Sequence, residues 1–336
     1  MKEAYLYEKL PEGGVRCQLC SHYCRIQPNR RGICHVRECR GDRLVTLVYD
    51  RVVSMQGDPI EKKPFFHFLP GTDSLSIATV GCNFRCEFCQ NYSISQYPQE
   101  HNDIPGTPVT PEEIVDIAAA RGFRSISYTY TEPTVFFELA YDTGVLARRR
   151  GLRNNFVSNG FMTPRAIEKM SDFLDAANID LKSFSDEFYR KYCGGRLEPV
   201  LDSIRRLHEA GIWLEVTTLV IPGLNSEADE LHRLAAFLAD VDPRIPWHVS
   251  AFHPDYHMTD RPRTSIRHLE QAVTAGQEAG LRYIYFGNTP GHRSESTFCP
   301  HCGQLLVERR GFAVIKNRLV KPVCPDCRGE IDIILD

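Results

Sequence analysis

Apolar runs alternate with helical patterns from about residue 75 to residue 290. This alternation is typical of a parallel sheet whose strands are joined by helices. Six of the runs are predicted to be strands, and a seventh candidate follows them: residues 75–80, 125–129, 154–158, 177–181, 213–220 and 247–252, then 282–286. The pattern therefore predicts an α/β fold with a partial (β/α)6 barrel, similar to a TIM barrel.

Helix start signals lie between the predicted strands. Thr110 precedes a proline and stands three residues before Glu113, the spacing of a capping box. Thr163 also precedes a proline, and Ser226 is followed by the acidic Asp229 in a predicted first turn. These signals place helices after the strands, as the barrel requires.

The two ends of the chain differ from this central region. Residues 1–70 hold a cysteine cluster, a short predicted strand at 44–49 and a turn-rich stretch. Residues 293–336 hold two Cys-x2-Cys pairs separated by β-like runs. We expect a Cys-rich N-terminal module (1–70), a barrel (71–292) and a small C-terminal metal-binding module (293–336), in which a metal replaces a core of its own.

Composition narrows the choice of partners and compartment. The net charge of −3 over 336 residues gives no reason to expect a nucleic-acid partner or an anionic membrane surface. Neither a signal peptide nor a membrane span is evident, so we expect a cytoplasmic protein with no membrane partner. Twelve of the 13 cysteines fall into three clusters and only Cys193 stands apart. In such a chain, clustered cysteines favour metal binding over disulfides.

The central cysteine cluster follows the first predicted barrel strand. Cys82, Cys86 and Cys89 have the spacing Cys-x3-Cys-x2-Cys. Three thiolates from one loop can bind three irons of a [4Fe–4S] cubane and leave the fourth iron open to an external ligand. The alternatives are a zinc knuckle or buried cysteines without metal, but zinc requires a fourth ligand.

This motif resembles the signature of the radical S-adenosylmethionine (SAM) superfamily, and Phe88 fits the aromatic residue often found before the third cysteine. The resemblance implies that the open iron chelates the amino and carboxylate groups of SAM. It also implies reductive cleavage of SAM to a 5′-deoxyadenosyl radical, which abstracts hydrogen from a substrate. A one-electron reductant such as flavodoxin or ferredoxin is then a required partner.

The same resemblance assigns SAM-binding roles at the ends of the later strands. Thr131 and Glu132 match the last two members of the family's Gly-Gly-Glu motif, which receives the methionine amino group. The alternative is that Glu132 is only an acidic first-turn residue before Pro133. Ser158 and Asn159 match residues that contact the ribose or the carboxylate of SAM, with a simple turn as the alternative. Asp180 matches a charged residue at the mouth of the barrel, with a structural Asp–Lys pair as the alternative. Ile221 matches a residue that packs against adenine, with core packing as the alternative.

Three further residues are candidates for contact with the substrate or the radical. Lys182 follows Asp180 at the predicted barrel mouth, and His253 lies nearer to that mouth than His248. Cys193 is expected to be a small buried apolar residue, unless a position at the mouth lets it donate a hydrogen atom.

The resemblance extends over nearly the whole chain to the radical SAM enzymes of the AmmeMemoRadiSam system, which are related to pyruvate formate-lyase activating enzymes. The residues that carry it are the N-terminal cysteine cluster and three stretches, 128–134, 247–254 and 287–292 followed by Cys299. It does not identify the substrate.

The outer cysteine groups predict additional metals. Two Cys-x2-Cys pairs near the C-terminus favour a structural zinc site: Cys299, Cys302, Cys324 and Cys327. Four N-terminal cysteines predict either zinc or a second iron–sulfur cluster, with His22, His35 or Cys39 as substitute ligands: Cys17, Cys20, Cys24 and Cys34.

Three functions remain open from the sequence. The leading hypothesis is a radical SAM enzyme that acts on a small molecule or a peptide. The second is an activase that abstracts hydrogen from a glycine of a protein partner. The third is a metal-binding or electron-transfer protein without catalytic activity.

Overall fold

The computed structural model describes all 336 residues, and it begins with two small antiparallel sheets. One sheet has the strand order β1-β6-β5 and the other β2-β3-β4. Their bounds are Lys2–Glu3 (β1), Tyr7–Lys9 (β2), Val15–Cys17 (β3), Arg25–Ile26 (β4), Arg37–Arg40 (β5) and Arg43–Thr46 (β6). Cys17 ends β3 and Cys39 lies on β5, whereas Cys20, Cys24 and Cys34 lie in the turns between strands.

A nine-stranded sheet forms the centre of the molecule. Its strands are Arg51–Pro59 (β7), Asp73–Thr79 (β8), Thr107–Pro108 (β9), Ser125–Tyr128 (β10), Arg153–Ser158 (β11), Ala176–Asp180 (β12), Trp213–Val220 (β13), Trp247–Ala251 (β14) and Ile284–Gly287 (β15). The order is β15-β14-β13-β12-β11-β10-β8-β7-β9. The strands from β8 to β15, without β9, are parallel, whereas β7 and β9 add an antiparallel edge. The predicted α/β fold with a central parallel sheet is confirmed, and its seventh candidate strand is present.

Helices connect the parallel strands. They are Tyr92–Ser95 (α1), Tyr97–His101 (α2), Pro111–Ala120 (α3), Phe137–Arg149 (α4), Pro164–Met170 (α5), Asp186–Phe188 (α6), Glu198–Glu209 (α7), Ala228–Val241 (α8) and Ile266–Glu278 (α9). Short 3-10 helices cover Ile60–Lys62, Pro133–Phe136 and Arg293–Glu295, and a π-helix covers Tyr189–Cys193. None of these helices is both long enough and apolar enough to cross a membrane.

The predicted helix starts are largely correct. Thr110 Oγ1 accepts from the Glu113 N–H at 3.2 Å, and the Glu113 carboxylate accepts from the Thr110 N–H at 2.8 Å. Thr163 caps α5 through the Ala166 N–H at 3.1 Å. Ser226 lies before α8, and its Oγ accepts from the Gly223 N–H at 3.0 Å to close the preceding turn. The serine therefore shapes the loop, while the helix begins at Ala228.

The C-terminal residues form a third small sheet that docks on the opposite side of the barrel from the strands' carboxyl ends. Its strands are Thr297–Phe298 (β16), Leu305–Arg310 (β17) and Ala313–Asn317 (β18). Buried Arg309 donates from Nη2 to the Phe66 carbonyl at 2.6 Å. The Ile334 N–H donates to the His67 carbonyl at 2.7 Å. The segment between β7 and β8 thus joins the third sheet to the barrel.

The parallel strands are buried on both faces. On one face the side chains are apolar and completely inaccessible to solvent: Ile77, Ile126, Phe156, Ile179 and Val216. The other face is equally buried but carries polar side chains, such as Ser76, Ser127 and Asn178. The carboxyl ends of the strands form the edge at which parallel α/β proteins bind ligands, and this edge carries the candidate site.

Candidate functional site

A cavity of about 310 Å³ opens at the carboxyl ends of the parallel strands. Nine residues singled out from the sequence line it together: Cys82, Cys86, Cys89, Thr131, Glu132, Ser158, Asn159, Asp180 and Lys182. They come from the loops after four strands, β8, β10, β11 and β12. The topology thus brings together side chains that are up to 100 residues apart in the sequence.

The three cysteines lie on one tight loop after β8. Gly81 has φ +101°, and a Cβ at this position would lie 2.6 Å from Val36 Cγ1, so the close turn requires glycine. The Phe84 N–H donates to Cys82 Sγ at 3.3 Å. The loop is also held from the π-helix, since the Arg85 N–H donates to the Cys193 carbonyl at 2.9 Å. The thiols are therefore held on a fixed backbone.

Burial sets the electrostatics of these thiols. It raises the pKa of Cys82 and of Cys89 above the ordinary value for a thiol. The pKa of Cys86 is lowered, because the Cys193 thiol donates a hydrogen bond to it. A thiolate, not a thiol, is the metal ligand, so a metal that binds here displaces protons from Cys82 and Cys89.

Glu132 accepts several hydrogen bonds at the wall of the cavity. Its Oε1 accepts from the Thr134 N–H at 2.9 Å and from Ser158 Oγ at 2.8 Å, and its Oε2 accepts from the Asn159 N–H at 2.8 Å. Burial raises its pKa. The carboxylate caps the 3-10 helix Pro133–Phe136, so Glu132 does stabilise a helix start, and it also lines the cavity. Its orientation is fixed, and Oε2 keeps a free lone pair.

The neighbouring polar groups connect this carboxylate to the cysteine loop. Asn159 Nδ2 donates to Asn83 Oδ1 at 2.7 Å and lies 3.8 Å from Cys82 Sγ. Thr131 Oγ1 donates to the Thr79 carbonyl at 2.9 Å, at the end of β8. One hydrogen-bonded network thus extends from the thiols to the ends of β10 and β11.

Asp180 and Lys182 form the ion pair that the structural alternative proposed, with 2.8 Å between Oδ2 and Nζ. Both line the cavity, and Lys182 Nζ lies 5.9 Å from the centre of the Phe88 ring. Burial opposes the charge of Lys182, but Asp180 and the nearby thiols raise its pKa well above the ordinary value. The ammonium group is therefore retained at the cavity wall.

A family comparison agrees with this arrangement. Residues 76–238 match the model of the Radical SAM superfamily, and this range includes all three central cysteines and every polar residue described above. The chain belongs to the radical SAM superfamily. Members of this superfamily are enzymes that bind a [4Fe–4S] cluster and SAM.

Two relatives and one solved structure illustrate the similarity. The chain is 45% identical over 338 residues to the uncharacterized protein MJ0808 of Methanocaldococcus jannaschii, with 100% of both chains covered. It is 24% identical over 219 residues to the putative glycyl-radical enzyme activating enzyme MJ1632 of the same organism, covering 63% of this chain and 79% of that one. The crystal structure of Streptococcus suis SuiB bound to S-adenosylmethionine has a TM-score of 0.49, with 15% identity over 67% of this chain and 54% of that one.

The cavity of this radical SAM protein fits the cofactors of its superfamily in donor chemistry. Three thiols converge from one loop, which suits the thiolate preference of iron–sulfur clusters. Glu132 and Asn159 offer a carboxylate and an amide, which suit the amine and hydroxyl groups of SAM.

Three candidates from the sequence lie outside the cavity lining. His253 contacts Gln90, with 2.9 Å between His253 Nε2 and Gln90 Nε2. Cys193 is buried behind Cys86. Ile221 is fully buried, and its N–H donates to Asn225 Oδ1 at 2.6 Å. None of the three reaches the cavity in this arrangement, so their assigned roles stay predictions.

The sequence analysis missed a buried lysine at the edge of the cavity. Lys63 is only 2% exposed and pairs with Asp58, with 2.7 Å between Nζ and Oδ2. Its ammonium group lies 4.0 Å from the centre of the Tyr130 ring, and the Tyr130 hydroxyl donates to the same Asp58 carboxylate. Lys63 and Tyr130 both line the cavity. They bring a positive charge and an aromatic ring to the wall of the cavity.

The C-terminal thiols form a compact group that fits zinc. The four sulfurs lie within 4.8 Å of one another, with 3.7 Å between Cys299 and Cys327 and 3.8 Å between Cys302 and Cys324. A tetrahedral zinc site with Zn–S bonds of about 2.3 Å has sulfur–sulfur edges of about 3.8 Å. Backbone N–H groups of Cys327 and Asp326 help to lower the pKa of Cys324 to about 7, which favours a thiolate ligand.

The N-terminal thiols also meet in space. Cys17, Cys20, Cys24 and Cys34 line one small internal cavity, which His22 also lines, whereas Cys39 lies outside it. None of the 13 cysteines forms a disulfide. The four residues predicted as a second four-thiol site thus lie around one cavity.

Proposed function

We propose that this chain cleaves SAM reductively and uses the resulting 5′-deoxyadenosyl radical to abstract hydrogen from a small-molecule or peptide substrate. The observation that carries the proposal is the single cavity in which three thiols face Glu132, Ser158 and Asn159. Membership of the radical SAM superfamily supports the same function.

The residues of the cavity have distinct roles in this proposal. Cys82, Cys86 and Cys89 hold the cluster, which supplies the electron that breaks a sulfonium bond of SAM when both are bound. Glu132 accepts a hydrogen bond from the methionine amino group through the free lone pair of Oε2. Asn159 donates to and accepts from ribose hydroxyls or the carboxylate. The surrounding apolar side chains exclude water from the reacting centre.

The remaining wall of the cavity is proposed to face the substrate. Lys63 and Lys182 lie on it, each paired with an aspartate, and Tyr130 lies beside Lys63. These groups would orient polar parts of a substrate by hydrogen bonds and leave its C–H bond directed at the radical. A one-electron reductant such as flavodoxin or ferredoxin is the required protein partner.

The decisive experiment measures SAM cleavage by the full chain after anaerobic reconstitution with iron and sulfide. With dithionite as reductant, we expect methionine and 5′-deoxyadenosine as products. Cys86→Ala should lose the [4Fe–4S] absorption and the cleavage activity together. A reconstituted, reduced wild type that leaves SAM intact would instead favour a metal-binding or electron-transfer protein without catalytic activity.

Glu132→Gln tests the SAM site without touching the cluster ligands. Loss of a charge-assisted hydrogen bond corresponds to roughly a tenfold or greater increase in the dissociation constant for SAM. The cluster spectrum should not change. Glu112→Gln, at an exposed position in the first turn of α3, is the matched control. Equal SAM affinity in both variants would remove Glu132 from the binding site.

A second function, activation of a glycyl-radical enzyme, is favoured by the similarity to the putative activating enzyme MJ1632. The two functions differ in the source of the abstracted hydrogen. Extracts from cells grown on deuterated glycine can be separated into a protein fraction and a fraction of small molecules and peptides. Deuterium that enters 5′-deoxyadenosine only from the protein fraction would support the activase function.

A further inference from the structure

The N-terminal thiol site is built like a ligand site. Four cysteines line one small internal cavity together with the buried side chains of Arg37 and Asn83: Cys17, Cys20, Cys24 and Cys34. Four thiols around one cavity are the ligand set of a metal centre.

Two buried donors without a protein partner also face this site. Arg37 is 2% exposed and lines the cavity, and its Nη2 pairs with Glu138, but its Nε and Nη1 have no hydrogen-bond acceptor. Asn83 is 1% exposed, and its Nδ2 also lacks an acceptor. A buried donor without a partner costs about 1–3 kcal/mol. Donors of two different side chains at one thiol cluster therefore indicate an anionic group with several acceptor atoms.

The sulfur spacing distinguishes a single ion from a cluster. The C-terminal four are the one group of His, Cys, Asp or Glu side chains whose ligand atoms all lie within 4.8 Å of one another. The N-terminal thiols are spaced more widely, as are Cys82, Cys86 and Cys89. A tetrahedral zinc site needs sulfur–sulfur edges of about 3.8 Å, whereas a polynuclear cluster separates its thiolates by its own width.

The free volume between the N-terminal thiols is about 20 Å³, which by itself would suit one small ion. The wider sulfur spacing argues against a single tetrahedral zinc ion, which would hold its four sulfurs about 3.8 Å apart. The inorganic sulfides of a cluster would also supply acceptors for Arg37 and Asn83, which a zinc ion with four thiolates would not add.

We propose that Cys17, Cys20, Cys24 and Cys34 hold a second iron–sulfur cluster, to which Arg37 and Asn83 donate hydrogen bonds. This site touches the barrel site through Asn83, which follows Cys82 in the sequence. Asn83 Oδ1 accepts from Asn159 at 2.7 Å, and the Asn83 carbonyl lies 2.8 Å from His22 Nε2. The two metal centres thus share one residue between them.

The test uses the full chain with Cys82, Cys86 and Cys89 all changed to alanine, so that the barrel site cannot hold iron. After anaerobic reconstitution we expect either about two or about four iron ions per chain, with equal sulfide and one zinc at the C-terminal site. Adding Cys17→Ala and Cys20→Ala should remove this iron. A chain that retains no iron and binds two zinc ions would overturn the proposal. Since none of these measurements uses SAM cleavage, the result is independent of the proposed function.

Zinc in the wild-type chain gives a second measurement that does not depend on N-terminal variants. Cys302→Ser with Cys327→Ser should lower zinc from about one ion per chain to nearly none. One remaining zinc ion per chain would contradict the proposal.

Asn83→Asp tests the donor role in the chain that lacks the three central cysteines. It replaces an N–H donor with a negative charge, so the midpoint potential of the remaining cluster should fall. Gln90→Glu adds the same charge at the other end of the cysteine loop and should leave the potential unchanged. Equal potentials in all three proteins would exclude Asn83 as a donor to the cluster.

Discussion

Lys63 lines the candidate site and also makes the stability of the fold depend on pH. Burial lowers its pKa to about 8, and the ion pair with Asp58 offsets this only in part. The same surroundings hold the pKa of Asp58 well below its usual range, where Lys62, Lys63 and Tyr130 all bond to the carboxylate. The carboxylate therefore stays charged over the whole range in which Lys63 titrates.

The pKa of Lys63 predicts a pH dependence of folding. Its folded pKa of about 8 lies below the ordinary lysine pKa of 10.5, so the unfolded chain binds more protons between these two pH values. The free energy of unfolding should therefore rise from pH 8 to pH 10.5, with a contribution on the order of 3 kcal/mol, and should be lost again as the pH falls through 8. Urea unfolding at pH 7.5, 9 and 10.5 measures this rise.

Lys63→Met should remove most of that rise, because no charge then has to be buried. Lys62→Met is the matched control, since Lys62 bonds to the same carboxylate from a side chain that is 40% exposed. The same slope in wild type and Lys63→Met would show that Lys63 does not carry the effect.

Residue-scale prediction from the sequence succeeded where the signal is local. Cys82, Cys86 and Cys89 lie within eight positions, and their spacing alone places three thiols on one loop. Lys63 was not found, because it belongs to no recognisable motif and its aromatic contact, Tyr130, is 67 positions away. Arg37 was missed for the same reason, since it pairs with Glu138 101 positions later.

At the scale of elements, the parallel strands were predictable because short segments with apolar residues alternate with clearly helical segments along the chain, although several strands, such as Ser125–Tyr128 and Arg153–Ser158, also carry polar residues. β7 was not: the sequence analysis placed residues 51–59 in the N-terminal module, whereas they pair with β8 in the central sheet. Its residues are mostly half-buried or exposed, and Gly57 lies inside the strand. An antiparallel edge strand of this kind shows neither a continuous apolar run nor a clear alternation.

Glu215 on β13 holds the segment that connects β7 and β8. It is completely buried and accepts from the N–H groups of Phe66 and His67 at 2.9 and 2.8 Å. Its Oε2 also lies 2.7 Å from His248 Nε2. His248 is therefore committed to this bond and does not line the cavity. A strand residue thus fixes a loop that lies 148 positions earlier.

Glu215→Gln should destabilise the fold and loosen this segment. The amide NH2 would face donors, so the free energy of unfolding should fall by about 2–4 kcal/mol. Hydrogen exchange at the amides of Phe66 and His67 should become faster. Glu209→Gln, at the exposed end of α7, is expected to stay within about 0.5 kcal/mol of wild type. Unchanged exchange at both amides would contradict the proposed role of Glu215.

At the scale of the whole molecule, the C-terminal module is small and depends on its thiols. Its separate core contains only seven buried residues, two of which are Cys299 and Cys324. So few apolar side chains cannot stabilise a folded unit without an additional crosslink. The module contacts the segment at Phe66 and His67 and, through Asp332 and Asp336, also Tyr283 and Arg153 at the amino ends of the strands, whereas the candidate site lies at the carboxyl ends. Loss of the metal should therefore affect one end of the molecule and spare the other.

Removal of zinc is predicted to unfold the C-terminal module and to leave the SAM affinity of the barrel unchanged. Cys302 and Cys327 are the two exposed thiols of the group, so Cys302→Ser with Cys327→Ser changes the ligands with little effect on packing. We expect the loss of about one zinc ion per chain and rapid proteolysis between β17 and the C-terminus, because metal binding supplies the folding free energy of such units. SAM affinity should remain equal to that of wild type. Arg318→Lys is the matched control, because it leaves all four thiols in place and should keep both the zinc and the protease resistance. Intact zinc content in the double variant, or a parallel loss of SAM binding, would show that the module and the barrel do not depend on the metal in this way.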